Sequence, residues 1–270
     1  ILVFLVMSSL GFGANSQTIY TKNTEIGLLG GGSYYLGDLN NIHFNQPVAA
    51  GGLVIRRNID RRFSYKAEAL YLNISSDERG SKDTIAKERG LHFWSPVYEF
   101  SGQIEFNFLP YESGNPLYTW TPFVYTGVSI FHFDPMAENS FGQDVQLQEL
   151  GTEGQGLALY PDRKKYPLIQ FAIPIGGGIK IAINESFNII IEYGIRKTFT
   201  DYLDDVSTTY IGDPYPASVA ANPEFIEMSD PTGGHLRGDQ RGSPEKKDWY
   251  SFAGITLSFK LNNNTKDCDY

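Results

Sequence analysis

Residues 63–74, FSYKAEALYLNI, alternate without a break. Phe63, Tyr65, Ala67, Ala69 and Tyr71 fall on one face of an extended chain, and Ser64, Lys66 and Glu68 on the other. The same period of two recurs in EFSGQIEFNF (99–108), where Phe100, Ile104, Phe106 and Phe108 oppose Glu99, Ser101, Gln103, Glu105 and Asn107. FNIIIEYGIR (187–196) and DWYSFAGITLSFKL (248–261) repeat it, with Glu192 and Arg196 on the polar face of the former. Thr24–Tyr35, Pro47–Ile59, Trp120–Phe133 and Leu168–Ile183 read as four further strands; glycine clusters mark the first, second and fourth, where a sheet bends or backbones approach closely.

The connections between these eight strands alternate in length. LGDLNNIHFNQ (36–46), Ser75–Ser95, Asp134–Pro167 and Thr198–Lys247 are long; Asp60–Arg62, PYESGNPLY (110–118) and Asn184–Ser186 are short. A soluble sandwich has no reason to sort its loops this way, whereas a transmembrane barrel has short periplasmic turns and long outward loops. The expectation is all-β: an eight-stranded antiparallel up-and-down transmembrane β-barrel over residues 17–261, both termini periplasmic, in the bacterial outer membrane. A soluble β-sandwich is the architectural alternative.

Composition fits. The 270 residues carry a net charge of -9 and 14% aromatics, with 28 glycines and three methionines. An acidic chain is a poor general partner for nucleic acid. Mean hydropathy is -0.27, and no run of 18 apolar residues follows the N-terminal segment, which excludes a helical span but not a barrel. ILVFLVMSSLGFGANSQ (1–17) has an apolar stretch and a small-x-small exit at Ala14–Ser16, read as an export signal over 1–16 without its basic start. Residues 262–270 are read as a polar periplasmic tail holding the single cysteine, Cys268, which has no second cysteine to pair with in this sequence.

An eight-stranded barrel is only wide enough to be filled by side chains. Its inward charges must therefore pair, and Lys66, Glu68, Glu99, Gln103, Glu105, Gln170, Lys180, Glu192 and Arg196 are expected to form a structural polar network. GTEGQG (151–156) lacks the Lys and Ser/Thr of a phosphate loop and is read as loop structure. The histidines, His43, His92, His132 and His235, have no metal-ligand spacing. His132, near a strand end, is the one candidate for lipid-directed catalysis, with no serine standing out as its partner.

RKTFTDYLDDVSTTY (196–210) places Asp201, Asp204 and Asp205 at the start of the longest outward loop, where charge costs little. Calcium is a secondary reading of the three. The principal one pairs them with Arg196, Lys197 and nearby loops, with Phe199 and Tyr202 as aromatics at the membrane interface. The Gly- and Pro-rich segment 212–248 is expected to be mobile.

The succession EIGLLGGGSYYLGDLN (25–40), VYEFSGQIEFNFLPYE (97–112), TPFVYTGVSIFHFDP (121–135), LQELGTEGQG (147–156), RKTFTDYLDDVSTTY and RGSPEKKDWYSFAGITLSFKL (241–261) resembles the PorG family of the Bacteroidota type IX secretion system. The resemblance implies an outer-membrane barrel without catalytic residues or cofactor that tethers a periplasmic ring of PorK/PorN type; its expected partners are those ring proteins and outer-membrane lipid, with no nucleic acid and no small-molecule substrate. A periplasmic ring would meet the short turns, through Asp60, Arg61, Arg62, Tyr111, Glu112, Asn184 and Glu185. TDYLDDVS and GTEGQG then lie on the opposite side, either folding the outer half or meeting another partner. The alternative function is a stand-alone barrel acting as a narrow pore or lipid-modifying enzyme.

Overall fold

The computed structural model describes residue 20 and residues 22–261; the export-signal segment and the tail with Cys268 lie outside the described residues. In chain order the elements are β1 (Asn23–Leu36), β2 (Val48–Asn58), β3 (Phe63–Asp77), α1 (Thr84–Arg89), β4 (His92–Asn107), β5 (Trp120–Phe133), β6 (Met136–Glu138), β7 (Asp144–Gln146), α2 (Leu147–Leu150), β8 (Ile169–Ala182), β9 (Phe187–Thr198), α3 (Pro223–Ser229) and β10 (Trp249–Leu261). Eight of the strands close on themselves. β1 pairs antiparallel with β2 and β10, and the ladder continues β2–β3, β3–β4, β4–β5, β5–β8, β8–β9 and β9–β10. These strands run from 11 residues in β2 to 16 in β4, long enough to cross a bilayer at a tilt. β6 and β7 form a small hairpin beyond the long-loop end, joined to β4 at Trp94–Met136.

Strand positions match the sequence reading except at β3 and β4. The second long connection is shorter than Ser75–Ser95, because Ser75 pairs with Trp94 and Ser76 with Phe93. Small hydroxyl residues and Pro96 interrupt the apolar alternation there, so pairing continues past the point where the pattern stops.

The short turns are built by asparagine and aspartate. Asp60 Oδ1 accepts from the backbone N–H of Arg62 and Phe63 at 2.6 and 2.8 Å, and Asn184 Oδ1 accepts from Ser186 and Phe187 at 2.9 and 2.8 Å. Each side chain thus completes its own turn.

Alternation assigns the two faces. Leu28, Leu53, Phe100, Ile175 and Leu257 point outward and are exposed. Aromatic pairs bound this belt: Phe63–Phe106 and Phe187–Phe259 at the short-turn end, with centroids 5.2 and 5.1 Å apart, and Tyr71–Tyr98 at the long-loop end, 5.1 Å apart. Inward glycines make room for large side chains. A Cβ on Gly194 would lie 2.0 Å from the hydroxyl of Tyr125, whose ring fills that slot.

Gly178 has less freedom still: a Cβ there would lie 1.9 Å from the backbone oxygen of Ile191 on the neighbouring strand. Gly178→Val is expected to abolish the compact species that migrates faster in unheated gel samples, whereas Gly102→Ala, where a Cβ meets nothing within 4 Å, leaves it intact.

Candidate functional site

The barrel interior holds a continuous chain of charge. Arg56 clamps Glu105 with Nε and Nη2 at 2.7 and 3.1 Å and reaches Glu25 with Nη1 at 3.3 Å. Lys180 donates to the same Glu105 at 2.6 Å. Lys66 lies 3.0 Å from Glu68, 3.2 Å from Glu192 and 3.9 Å from Glu105. Arg196 then links Glu68 at 2.9 Å to Glu99 at 3.2 Å, and the hydroxyl of Tyr250 donates to Glu99 at 2.6 Å. Asn58 and Ser258 satisfy Glu25 at 2.7 and 2.9 Å. Four cations therefore face five carboxylates, all buried. Aromatic faces complete the shell, with Lys66 4.3 Å from the centre of Tyr125 and Lys180 4.8 Å from that of Phe123.

The structure brings together Lys66, Glu68, Glu99, Glu105, Lys180, Glu192 and Arg196. Gln103 points inward but bonds only Ser101. Arg56 and Glu25 escaped the sequence reading, although Arg56 is in phase with inward Val54 and Asn58. The glycines of β1 and β2 hid that phase.

Both mouths are closed. At the short-turn end the 110–118 turn folds across the opening and buries Tyr111. Ser113 bonds Asn188 at 2.8 Å, and Gly114 lies against Glu185. Arg61 pairs with Glu112 at 2.9 Å and stacks 4.7 Å from the centre of Tyr118. Asp60, Arg62, Asn184 and Glu185 lie on this same end, exposed around the plug.

At the long-loop end the outward loops form a dome with its own core. Leu39, Leu91, Leu147, Tyr166, Leu203, Val206 and Met228 pack on Phe93, Phe131, Tyr250 and Phe252 of the barrel. The 212–248 segment is part of it, contributing α3 and the fully buried Arg241, contrary to the expectation of mobility. Its glycines and prolines supply turns rather than slack.

Asp201, Asp204 and Asp205 are buried in this dome, which corrects their placement in water. Asp204 accepts from Tyr35 at 2.5 Å and from the Val206 N–H at 3.0 Å. Asp205, in the left-handed region at φ 62°, accepts from Tyr166 at 2.6 Å and from Thr152. Asp201 accepts from Ser207 at 2.6 Å, and its other oxygen has no partner. The cation paired with Asp205 is Arg241, at 4.0 Å and also 3.3 Å from Glu153, not Arg196 or Lys197. Arg196 is taken by the barrel interior, and Lys197 stacks over Trp249 at 5.6 Å. Tyr202 packs on Tyr166 with centroids 4.6 Å apart instead of facing lipid, while Phe199 is exposed. Among the described residues no group of three or more His, Cys, Asp or Glu is arranged to hold a metal ion.

Glu153, in GTEGQG, accepts from the N–H groups of Ser207 and Thr208 at 2.9 and 3.0 Å and from the Thr208 hydroxyl at 2.6 Å. The two loop signatures thus fold against each other. Neither periodicity nor spacing signals this, since both segments are irregular. His132 sits on the outward face beside Tyr98, centroids 6.4 Å apart, and makes no hydrogen bond to a serine.

A closed barrel with an even number of strands, short turns at one end, long loops at the other and an apolar belt bounded by aromatics defines an outer-membrane β-barrel. Residues 3–211 match the family model described as Domain of unknown function (DUF6089), and the chain belongs to that family. No curated protein matches. Solved structures similar to it include the N-terminal β-barrel domain of Pseudomonas aeruginosa OprF, at 12% identity and TM-score 0.38 over 88% of this chain and 97% of that one. Ail of Yersinia pestis follows at 9% and 0.43 over 90% and 100%, and Neisserial surface protein A at 6% and 0.44 over 90% and 100%. The barrel assignment rests on the strand pairing above.

Two predictions follow from the two clusters. Glu105→Gln strips a carboxylate from three cations in a buried interior and should cost about 3–5 kcal/mol in denaturant unfolding, against under about 1 kcal/mol for Glu112→Gln at the partly exposed Arg61 pair. In the dome, burial pushes Asp201 up to about 7 and Asp205 up to about 6, and Asp204 and Asp248 are raised well above the usual carboxylate range by the same cause. The folded dome then holds protons that the unfolded loops release near pH ~4, so its stability falls as pH rises from there through about 7. Limited proteolysis should cut the dome several-fold faster at alkaline than at mildly acidic pH, and Asp201→Asn should weaken that dependence.

Proposed function

We propose that the protein is a non-enzymatic outer-membrane component of the type IX secretion machinery, its short-turn end in the periplasm and in contact with a ring of PorK/PorN type. The observation that carries the reading is the closure of the barrel. With the interior filled by ion-paired side chains and both mouths covered, the molecule offers surfaces to partners and no lumen. The ordered sequence resemblance supplies the system. Burial of GTEGQG and TDYLDDVS in the dome favours the view that these signatures fold the outer half, which leaves the short-turn end as the docking face.

Arg62 and Glu185 are two of the exposed charges of that face. Arg62→Glu with Glu185→Lys should leave the heat-modifiable barrel intact, while co-purification of the ring proteins from native membranes falls about tenfold, the effect of losing about 1.4 kcal/mol of contact. Wild-type secretion together with wild-type co-purification from the double variant would refute the reading.

A further inference from the structure

The outward face of the barrel is almost free of charge. Among outward-pointing residues of the eight barrel strands, Asp77 and Lys197 stand where strands enter the long loops, and Arg57 stands alone near the other end. Arg57 is half-buried and donates to Thr24 Oγ1 at 2.7 Å, with no carboxylate partner among the described residues. In register it lies between Thr24 and Tyr65, one outward position closer to the membrane centre than the Phe63–Phe106 pair. A guanidinium at that depth reaches the interface, where a lipid phosphate is the anion best placed to pair with it.

Beside it runs a groove of about 650 Å³ across β2, β3, β4 and β5, walled by Ile55, Ile104 and Val128 over a floor of Ala67 and Gly102. Strand pairing sets Ala67 opposite Gly102 and Gly102 opposite Val128, so small residues open the groove toward mid-membrane. A Cβ on Gly102 would meet nothing within 4 Å. A cation at the interface leading into an apolar channel directed at the bilayer centre has the polarity of one amphiphile, an anionic head followed by a hydrocarbon tail.

We propose that this face binds one glycerophospholipid of the leaflet at the short-turn end, its phosphate on Arg57 and one acyl chain over Ala67 and Gly102. The proposal rests on the belt being lipid-facing. Arginine suits the task because its planar fork matches two phosphate oxygens, whereas an acyl chain alone would gain nothing from the groove over bulk lipid. The head group is not selected by these contacts; the phosphate is.

The test refolds the chain into vesicles of phosphatidylethanolamine doped with phosphatidylglycerol, extracts it into detergent and counts retained phospholipid by native mass spectrometry. The wild type should keep one phospholipid per barrel. Arg57→Gln and Gly102→Leu should each keep about tenfold less, and Arg57→Lys should recover most of it. Equal retention by all four folded proteins, or none by the wild type, overturns the site while leaving the barrel in its membrane. Failure of the wild type to fold into the vesicles, read as an unshifted band on the gel, overturns the membrane reading and the site with it.

Discussion

Glu105 is the point on which the barrel turns. It takes Arg56 from β2, Lys180 from β8 and, at longer range, Lys66 from β3, so that one carboxylate on β4 ties together three other strands around the ring. Eight strands enclose too little space for bulk water, so none of these charges can be left to solvation. Slipping one strand by a residue would send its charge into lipid and an aliphatic side chain into the cluster, and both errors are expensive. The network therefore acts chiefly on register. Its net worth over a well-packed apolar interior is small, but every misregistered alternative leaves charge unpaired.

The dome applies the same rule to irregular chain. Segments from three loops meet there: Asp38 from the first, Glu153 from the third, Asp204 and Asp205 from the fourth, and Arg241 with Asp248 from its far end. One guanidinium cannot balance that many carboxylates. The excess is met by hydroxyl and N–H donors and by raised proton affinity, with Tyr35 shared between Asp204 and Asp248 at 2.5 and 3.3 Å. Tyr35 belongs to β1, so this sharing fastens the dome to the barrel wall.

The barrel was legible because its information is periodic. Lys66, Glu68, Glu99, Glu105, Glu192 and Arg196 announce their inward direction through neighbours two residues away, and the alternation of loop lengths announces the topology. Arg56 and Glu25 were illegible because Gly30–Gly32 and Gly51–Gly52 carry no side chain to mark a face. The dome was illegible for a different reason. Asp201, Asp204 and Asp205 sit in a loop whose partners lie up to 169 residues away, at Tyr35, and no local pattern distinguishes a loop that packs from one that is solvated. Composition pointed the wrong way, since the glycine and proline of 212–248 serve tight turns as readily as disorder.

A filled interior also bears on function. Opening a path through it would separate pairs such as Arg56–Glu105 or Arg196–Glu99 without water ready to replace each partner, at about 3–5 kcal/mol for each uncompensated charge. Passage would require several such breaks together, along with displacement of the 110–118 plug and the dome. A conducting form would therefore be populated at well under one part in a thousand even for two simultaneous breaks. The same stiffness favours an anchor, because a closed, cross-tied barrel transmits a load at its short-turn end to the membrane without deforming.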